Sequence, residues 1–536
     1  MFTQEQDTLL KRYFTNTDQP IFALKNIPEV IKGTLFSRYS RTAKNLRQLF
    51  LDEFVNADVL GQYFAAAEKG TTEDLLNTAK ADDFYERILV GYGDDSVAEL
   101  GGAHVAIEEI SMLATKSIEE HRLGLSPLEK STRYVYYDQK VNGEYLYVKD
   151  RRIMESRFGE LYCSTVTLLM DTYSQIVREI QPMLKKIFPG DENEQAYKFS
   201  IRAKACDIAR GLIPLATKTN MGVYGNGRAF EYLITNLLND PLDEVRVAGA
   251  SLDENLKKVI SAFIKRATNE RGRAYRAYLD ATAERVQPLC AEVPAPVKPI
   301  NELTVSLVDA DPEAVEKIIA AILYRRSNKP YDCALDAARV MSDQKKSEIT
   351  QAYFSQRKNR HHKPGRETEE ANFCFEVVAD WGVYKDLMRH RILTRHHQLF
   401  TNELGYWVPS EIGMAGFEDQ YRKAMDAAVK AYAEIQNEFP QEAQYLVTHG
   451  AYNRFTMRMN LRAVIHMAEL RASPQGHPTY RKVAQEMARV VGERFPLLGS
   501  AAFSFVDHSD VDLERLEAFR RLEKKATALG VKGFEE

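Results

Sequence analysis

The chain has 536 residues, 44% of them hydrophobic and 28% charged, a balance that fits a soluble globular protein too long for one ordinary core. A formal net charge of -4 provides no global basic field, which argues against a protein whose main business is coating nucleic acid and makes any anion site local. Five widely spaced cysteines, Cys163, Cys206, Cys290, Cys333 and Cys374, form no C-x-x-C pair and suit reduced thiols in a cytoplasm.

The amino-terminal stretch MFTQEQDTLLKRYF lacks the apolar run of a signal peptide, and no 18-residue apolar segment occurs, so a cytoplasmic protein without membrane contact is expected. In AHVAIEEISMLATKSIEEHRL, Val105 and Ile107 alternate as in a strand. Ile110, Leu113, Ala114 and Ile118 then take helical spacing, ending at Glu120-His121-Arg122. GNGRAFEYLITNLL places Asn226 and Arg228 at the start of an apolar helix. Four prolines in VQPLCAEVPAPVKPINEL, residues 286–303, predict an extended linker between domains spanning 1–290 and 300–536.

The second half opens with a basic run, SQRKNRHHKPGR at 355–366, with five Lys or Arg and no acid, read as a solvated loop. In ANFCFEVV, Phe373, Phe375 and Val377 alternate as in a strand with one buried face. Trp381, Tyr384, Leu387 and Met388 follow at helical spacing, ending at Arg389-His390-Arg391. RMNLRAVIHMAELRAS places Asn460 and Arg462 at the start of another apolar helix. Strand, helix, His-Arg and then Asn-x-Arg are thus written twice in the same order, which predicts an internal duplication. An isolated Arg-His-Arg at a helix end could merely complement the negative carboxyl end. His396-His397 and His361-His362 have no acid at ligand spacing, so no metal is expected.

Taken together, these segments resemble the flavin-dependent thymidylate synthases, whose signature reads R-H-R-x-x-S-x-N-E-x-S-x-R-Y, followed by N-x-R and a helix-borne Arg. Neither half satisfies it alone, and the chain resembles a divergent tandem member. The second half keeps Arg389, His390, Arg391, Asn460, Arg462 and Arg471 but has His396-His397 for Asn-Glu, Leu399 for Ser and Thr401 for Arg. The first half, allowing one inserted residue, keeps Ser126, Glu129, Ser131, Arg133 and Tyr134 but has Glu120 for the first Arg and Leu237 or Leu238 for the late one. These complementary losses predict one working composite site and one abandoned one.

The resemblance implies an α+β fold, an antiparallel sheet with packed helices, in two tandem copies. It implies FAD held by Arg389, His390, Arg391, Asn460, Arg462 and His477, the last offset by two residues from the family position. Glu129, Ser131, Arg133, Arg389 and Arg471 are the implied contacts to deoxyuridine monophosphate (dUMP), with Arg471, Ser131 and Arg389 closest to the chemistry. Guanidinium suits this work because its planar fork matches phosphate and its charge can stabilise a developing anion. The expected reaction is reductive methylation of dUMP to dTMP, with methylenetetrahydrofolate and NADPH as co-substrates and without a cysteine nucleophile. The expected assembly is a homodimer forming a pseudo-tetramer. Asp386 stands where the family commonly has a base-contacting Gln. That departure and the basic run leave room for another pyrimidine nucleotide, a nucleic-acid base, or a non-catalytic nucleotide-binding role.

Overall fold

The order read from the sequence recurs as secondary structure. A computed structural model of the chain describes residues 2–40, 42–56, 97–292, 300, 302–509, 513 and 515–529. In the first copy β1 (Gly102–Ser111) runs into the helix Met112–Glu119, followed by β2 (Leu125–Glu129), the small hairpin of β3 (Lys140–Val141) and β4 (Glu144–Tyr145), and β5 (Lys218–Asn226), which leads into the helix Gly227–Leu237. In the second, β6 (Thr304–Ala310) precedes β7 (Asn372–Asp380), which runs into the helix Trp381–Leu387; β8 (Thr394–His397) follows, then β9 (Tyr452–Asn460) and the helix Leu461–Arg471. Strand order is β1-β5-β2 in one sheet and β6-β7-β9-β8 in the other, with β2–β5, β6–β7, β7–β9 and β8–β9 all antiparallel. The fold is α+β in two copies.

Asn226 and Asn460 explain their own recurrence. Each ends a strand and N-caps the next helix, its side-chain oxygen accepting from the amide of Ala229 at 2.8 Å or Ala463 at 3.0 Å. This satisfies one amide that the first helical turn would otherwise leave unpaired.

The compact units do not follow the order of the chain. Unit one comprises Met1–Ile110, Ala114–Glu129 and Thr219–Ala295; unit two comprises Ser111–Leu113, Lys130–Lys218 and Pro296–Glu536. In unit one an amino-terminal core gathers Leu10, Phe14, Leu35, Phe50 and Phe54, while Val105 and Ile107 are only half-buried. In unit two β7 is buried on both faces rather than one. Cys374 and Val378 are buried along with Phe373, Phe375 and Val377, with the helix Pro478–Arg494 packed against β7 and Val378 packed against Leu404 and Tyr452.

The expected linker begins later than its prolines imply. The helix Glu270–Ala291 continues through Pro288, whose missing amide falls in an exposed last turn where water can serve the orphaned carbonyl. Residues 293–299 and 301 of that segment lie outside the described residues.

Within unit two the copies pair with each other along two buried segments, each running from the end of a 3-10 helix through a single bridge residue into a turn. Pro214 lies opposite Thr448. Leu215 N donates to Val447 O at 2.8 Å and His449 N to Ile213 O at 2.9 Å; Ala216 N donates to Tyr445 O and Gly450 N to Gly211 O, each at 2.9 Å. Pro214 and Thr448 are separated along the chain by the same interval as Asn226 and Asn460, so every bond recurs with the roles of the copies exchanged. That reciprocity defines an isologous contact. A second set repeats likewise: Met112 N to Thr217 O and Leu113 N to Leu215 O return as Trp381 N to Ala451 O and Gly382 N to His449 O. The interval from Met112 to Trp381 equals that from His121 to His390, as the duplication requires. Gly211 is needed at the crossing, since a Cβ there would lie 2.1 Å from the Tyr421 hydroxyl.

Candidate functional site

The site in unit two begins with a loop made rigid by Ser131. The Ser131 hydroxyl accepts from the amide of Arg133 at 3.2 Å, and its carbonyl accepts from Val135 N at 3.2 Å, so the turn delivers the Arg133 side chain in one direction. Asp207, near the end of the helix Gln195–Ala209, receives it: Arg133 Nε donates to Oδ1 at 2.9 Å and Nη2 to Oδ2 at 3.0 Å. Arg133 Nη1 donates to the Tyr480 hydroxyl at 2.7 Å. Burial alone would push the Asp207 carboxyl up, but Arg133 and then Arg515 hold it far below the usual carboxylate range.

Tyr480 joins the two halves of the signature. Its ring lies 5.2 Å from the guanidinium carbon of Arg133 and 5.6 Å from that of Arg471. Arg471, the last residue of its helix, donates from Nε to His390 Nε2 at 2.9 Å. His390 therefore accepts on Nε2 and is a neutral imidazole, in keeping with burial and then Arg471 driving its pKa well down. His466 lies 5.6 Å from it, ring to ring, and Lys363 Nζ sits 2.7 Å from His466 Nδ1. Burial, then Lys363 and Arg360, lower the His466 pKa to about 4.

Asp386 balances this charge. Its Oδ2 lies 3.4 Å from Arg210 Nη1, and although burial would raise its pKa, Arg210, Arg133, Arg471 and Arg389 together lower it to about 2. One ionised carboxylate thus sits within the field of four guanidiniums.

The other expected residues have distinct placements. Arg389 and Arg391 are exposed beyond the helix Trp381–Leu387. Arg462 donates to Pro364 O and to Glu369 Oε1, each at 2.9 Å. His477 is fully buried as the N-cap of the helix Pro478–Arg494, with Nδ1 2.8 Å from Thr479 Oγ1 and Nε2 3.3 Å from Asp207 O. Glu129 ends β2 opposite Met221, buried in unit one. In the positions that lost signature residues, Leu237 is core, Glu120 pairs with Lys116, and the Thr401 amide donates to Asn453.

His396 and His397 lie in β8, and no group of three or more His, Cys, Asp or Glu that could hold a metal occurs among the described residues. Cys206, next to Asp207 in the chain, is buried with its thiol pushed up to about 12, chiefly by burial, and so holds no reactive thiolate.

The basic run is not simply a solvated loop. Arg357 Nη2 makes two 2.7 Å bonds to the buried Glu469 carboxylate, its Nη1 donates to Ala502 O at 3.1 Å and its Nε to His362 O at 2.7 Å. This pair stands between two clefts. One, of about 500 Å³, is lined by Arg360, His361, Glu469, Gln475, Arg521 and Lys525. The other, of about 520 Å³, is lined by Arg325, Arg326, Tyr353, Arg357 and Lys363, with Glu367 as its one acid. With Arg357 committed to Glu469, Arg325, Arg326 and Lys363 still outnumber Glu367, a surplus of positive charge that suits a diphosphate-bearing cofactor.

Asp207, Arg210, His466 and Tyr480 have no motif that marks them. Their only sequence signal is the three-residue spacing of Asp207 and Arg210, which sets them on one face of a helical turn.

The chain matches the family described as "Thymidylate synthase complementing protein" over residues 55–260 and again over 306–497. A UPF0159 protein of Chlamydia muridarum is 43% identical over 520 residues, covering 96% of this chain and 97% of that protein. A UPF0159 protein of Thermoplasma acidophilum is 32% identical, covering 92% and 99%. Among solved structures, the UMP/dUMP methylase PolB from Streptomyces cacaoi bound with 5-Br dUMP is similar at 17% identity and a TM-score of 0.32, covering 39% of this chain and 98% of that one.

Proposed function

The chain belongs to the thymidylate synthase complementing protein family, and from that premise we propose that it carries out FAD-dependent reductive methylation of dUMP to dTMP at one composite site per chain. The observation that carries the reading is the meeting of Arg133, from the first copy's loop, with Arg471, from the second copy's late helix, over the Tyr480 ring.

In this reading Arg133 and Ser131 bind the nucleotide phosphate. Arg389 and Arg471 face the base. Arg471 is oriented by its bond to His390 and stands ready to stabilise negative charge that builds on the pyrimidine ring. Arg389, His390, Arg391, Asn460 and Arg462 are the proposed FAD-binding set, from which the fully buried His477 drops out; the cleft at Arg325, Arg326 and Lys363 supports it with charge for a diphosphate. Bound flavin would supply the redox chemistry, with NADPH as reductant and methylenetetrahydrofolate as carbon donor. His477, with both ring nitrogens held by protein groups, acts by fixing the helix start below Tyr480.

A second reading turns on Asp386. An ionised carboxylate only accepts hydrogen bonds, so it would suit a donor on the base edge, either the N3–H of a uracil ring or the amino group of an amino-bearing pyrimidine, and not a uracil carbonyl. The isologous contact within the chain supports a further proposal, a homodimer in which each chain supplies two quarters of a four-part assembly.

Complementation of a thymidine auxotroph tests the main reading, followed by flavin reoxidation assays with dUMP, UMP and dCMP. Failure to complement, with preferential turnover of dCMP, would transfer support to the second reading. A purified chain without flavin absorbance that takes up none on addition would exclude both.

A further inference from the structure

Beyond residue 497, where the family match ends, the chain returns to the site through Arg515. Arg515 is 4% exposed, bonds Asp207 Oδ2 through Nη2 at 2.5 Å, and donates from Nη1 to the carbonyl of Arg133 at 3.2 Å. Its guanidinium lies 4.8 Å from the centre of the Tyr134 ring, and its Nε has no partner among the described residues. The helix that follows, Leu516–Ala528, is seated on the helix bearing Asp207. Phe519 packs against Ala196 and Ala203, and Arg520 forks onto Glu194 at 2.6 and 2.9 Å. The placement of Arg515 is therefore built in rather than incidental.

Asp207 thus carries two guanidiniums where one carboxylate needs one. Arg133 directs its bidentate edge, Nε and Nη2, at Asp207. A phosphate recognised by the same edge must take it from the carboxylate. Were Arg133 the sole cation on Asp207, that exchange would strand a buried charge, which is strongly unfavourable. Arg515 remains behind to keep Asp207 paired while Arg133 turns, and the Arg133 Nη1 bond to Tyr480 offers a pivot.

We propose that Arg515 is a positioning residue of the nucleotide site: by holding Asp207, it frees Arg133 to bind the nucleotide phosphate. The inference rests on the nucleotide-binding reading above and assigns the carboxy-terminal segment a part in substrate recognition.

The test is dUMP affinity, measured by calorimetry on the full flavin-loaded chain. Arg515→Gln is expected to weaken dUMP about tenfold or more, the worth of one charged interaction, and Arg515→Lys to recover most of the loss. The deciding comparison is Arg515→Gln in an Asp207→Asn background. With no carboxylate to trap Arg133, the Arg515 substitution should then change affinity less than about threefold. An undiminished loss in that background would show that Arg515 serves only to dock the helix, and would overturn the proposal. So would wild-type affinity in Arg515→Gln. If the double variant does not fold, equal losses from Lys and Gln at 515 count against the proposal and rescue by Lys counts for it. A wild-type chain that binds no dUMP overturns the substrate reading itself, a result seen before any variant is compared.

Discussion

The ion pair between the two clefts allows a prediction of size, sign and pH dependence. Arg357 and Glu469 have side chains only 7% and 1% exposed, joined by two 2.7 Å bonds. Arg357→Met keeps much of the stem's packing and removes the charge, leaving Glu469 buried without its cation. Breaking a buried pair from one side costs about 3–5 kcal/mol. At roughly 2.1 cal/mol/K per residue, a unit of about 330 residues melting as one body has an unfolding entropy near 0.7 kcal/mol/K, so the loss lowers Tm by about 4–7 °C. Burial already raises the Glu469 pKa even with Arg357 present, and removing Arg357 must raise it further. A raised carboxyl pKa costs nothing in acid, where the group is protonated, and costs more as pH climbs above the unfolded value near 4.3. The deficit of Arg357→Met should therefore be small near pH 4.5 and full at neutral pH. Adding Glu469→Gln should restore most of the neutral-pH loss. Differential scanning calorimetry across pH reads all three. A deficit independent of pH, or under about 1 kcal/mol at pH 7, would refute the account of the pair as a buried, mutually dependent charge.

Tyr480→Phe removes the acceptor of a charged hydrogen bond from Arg133 and should cost about 1.5–3 kcal/mol in the stability of the loop–helix contact; a double-mutant cycle with Arg133→Gln should show coupling of that order, and additivity would count against it. Anion binding beside His466 should lift its pKa from about 4. Cofactor or nucleotide binding would then take up protons between that value and the raised one, so that affinity strengthens as pH falls through the window; calorimetry at pH 5 in two buffers would detect this, and proton release would contradict it. Asp207, whose folded pKa is depressed, stabilises unit two fully above its unfolded value near 3.9 and loses that contribution only in stronger acid. Asp207→Asn should accordingly flatten the acid limb of the stability profile. Titration should find one flavin per chain, and two equivalent flavins would contradict the single-site reading.

What the sequence disclosed was local. Strand-to-helix order, the asparagine caps and the Arg-His-Arg ending follow from period and capping within a dozen residues. Arg133 and Arg471 were visible as motif positions, but their meeting was not, because Arg133 and Tyr480 are 347 positions apart. Asp207, Arg210 and Arg515 are ordinary charged residues until the chain is folded. The basic run looked like a solvated face for the same reason: the acid that buries Arg357 is 112 positions away. For β7 the alternation of Phe373, Phe375 and Val377 hid a second apolar set, Cys374 and Val378, on the other parity. The Pro288 expectation failed because an exposed helix end tolerates a proline that an interior would not.

The reciprocal bonds across Pro214 and Thr448 give a physical setting for the uneven losses. When two identical subunits pair about a two-fold axis, a substitution strikes both composite sites at once, so neither the loop nor the late arginine can be dispensed with. Joining the copies in one chain removes that constraint, because each position is then encoded separately. Leu237 or Leu238 can replace an arginine in one copy while Arg471 persists in the other, and Thr401 can replace an arginine while Arg133 persists. The isologous backbone contact does not depend on those side chains: it is made by amides and carbonyls, and it survives while the sites diverge. In this view the pairing preserves the scaffold. The meeting of Arg133 and Arg471 over Tyr480 is what selection on one proposed site would leave behind, and the second guanidinium on Asp207 is an addition that a symmetric ancestor would have had to install twice.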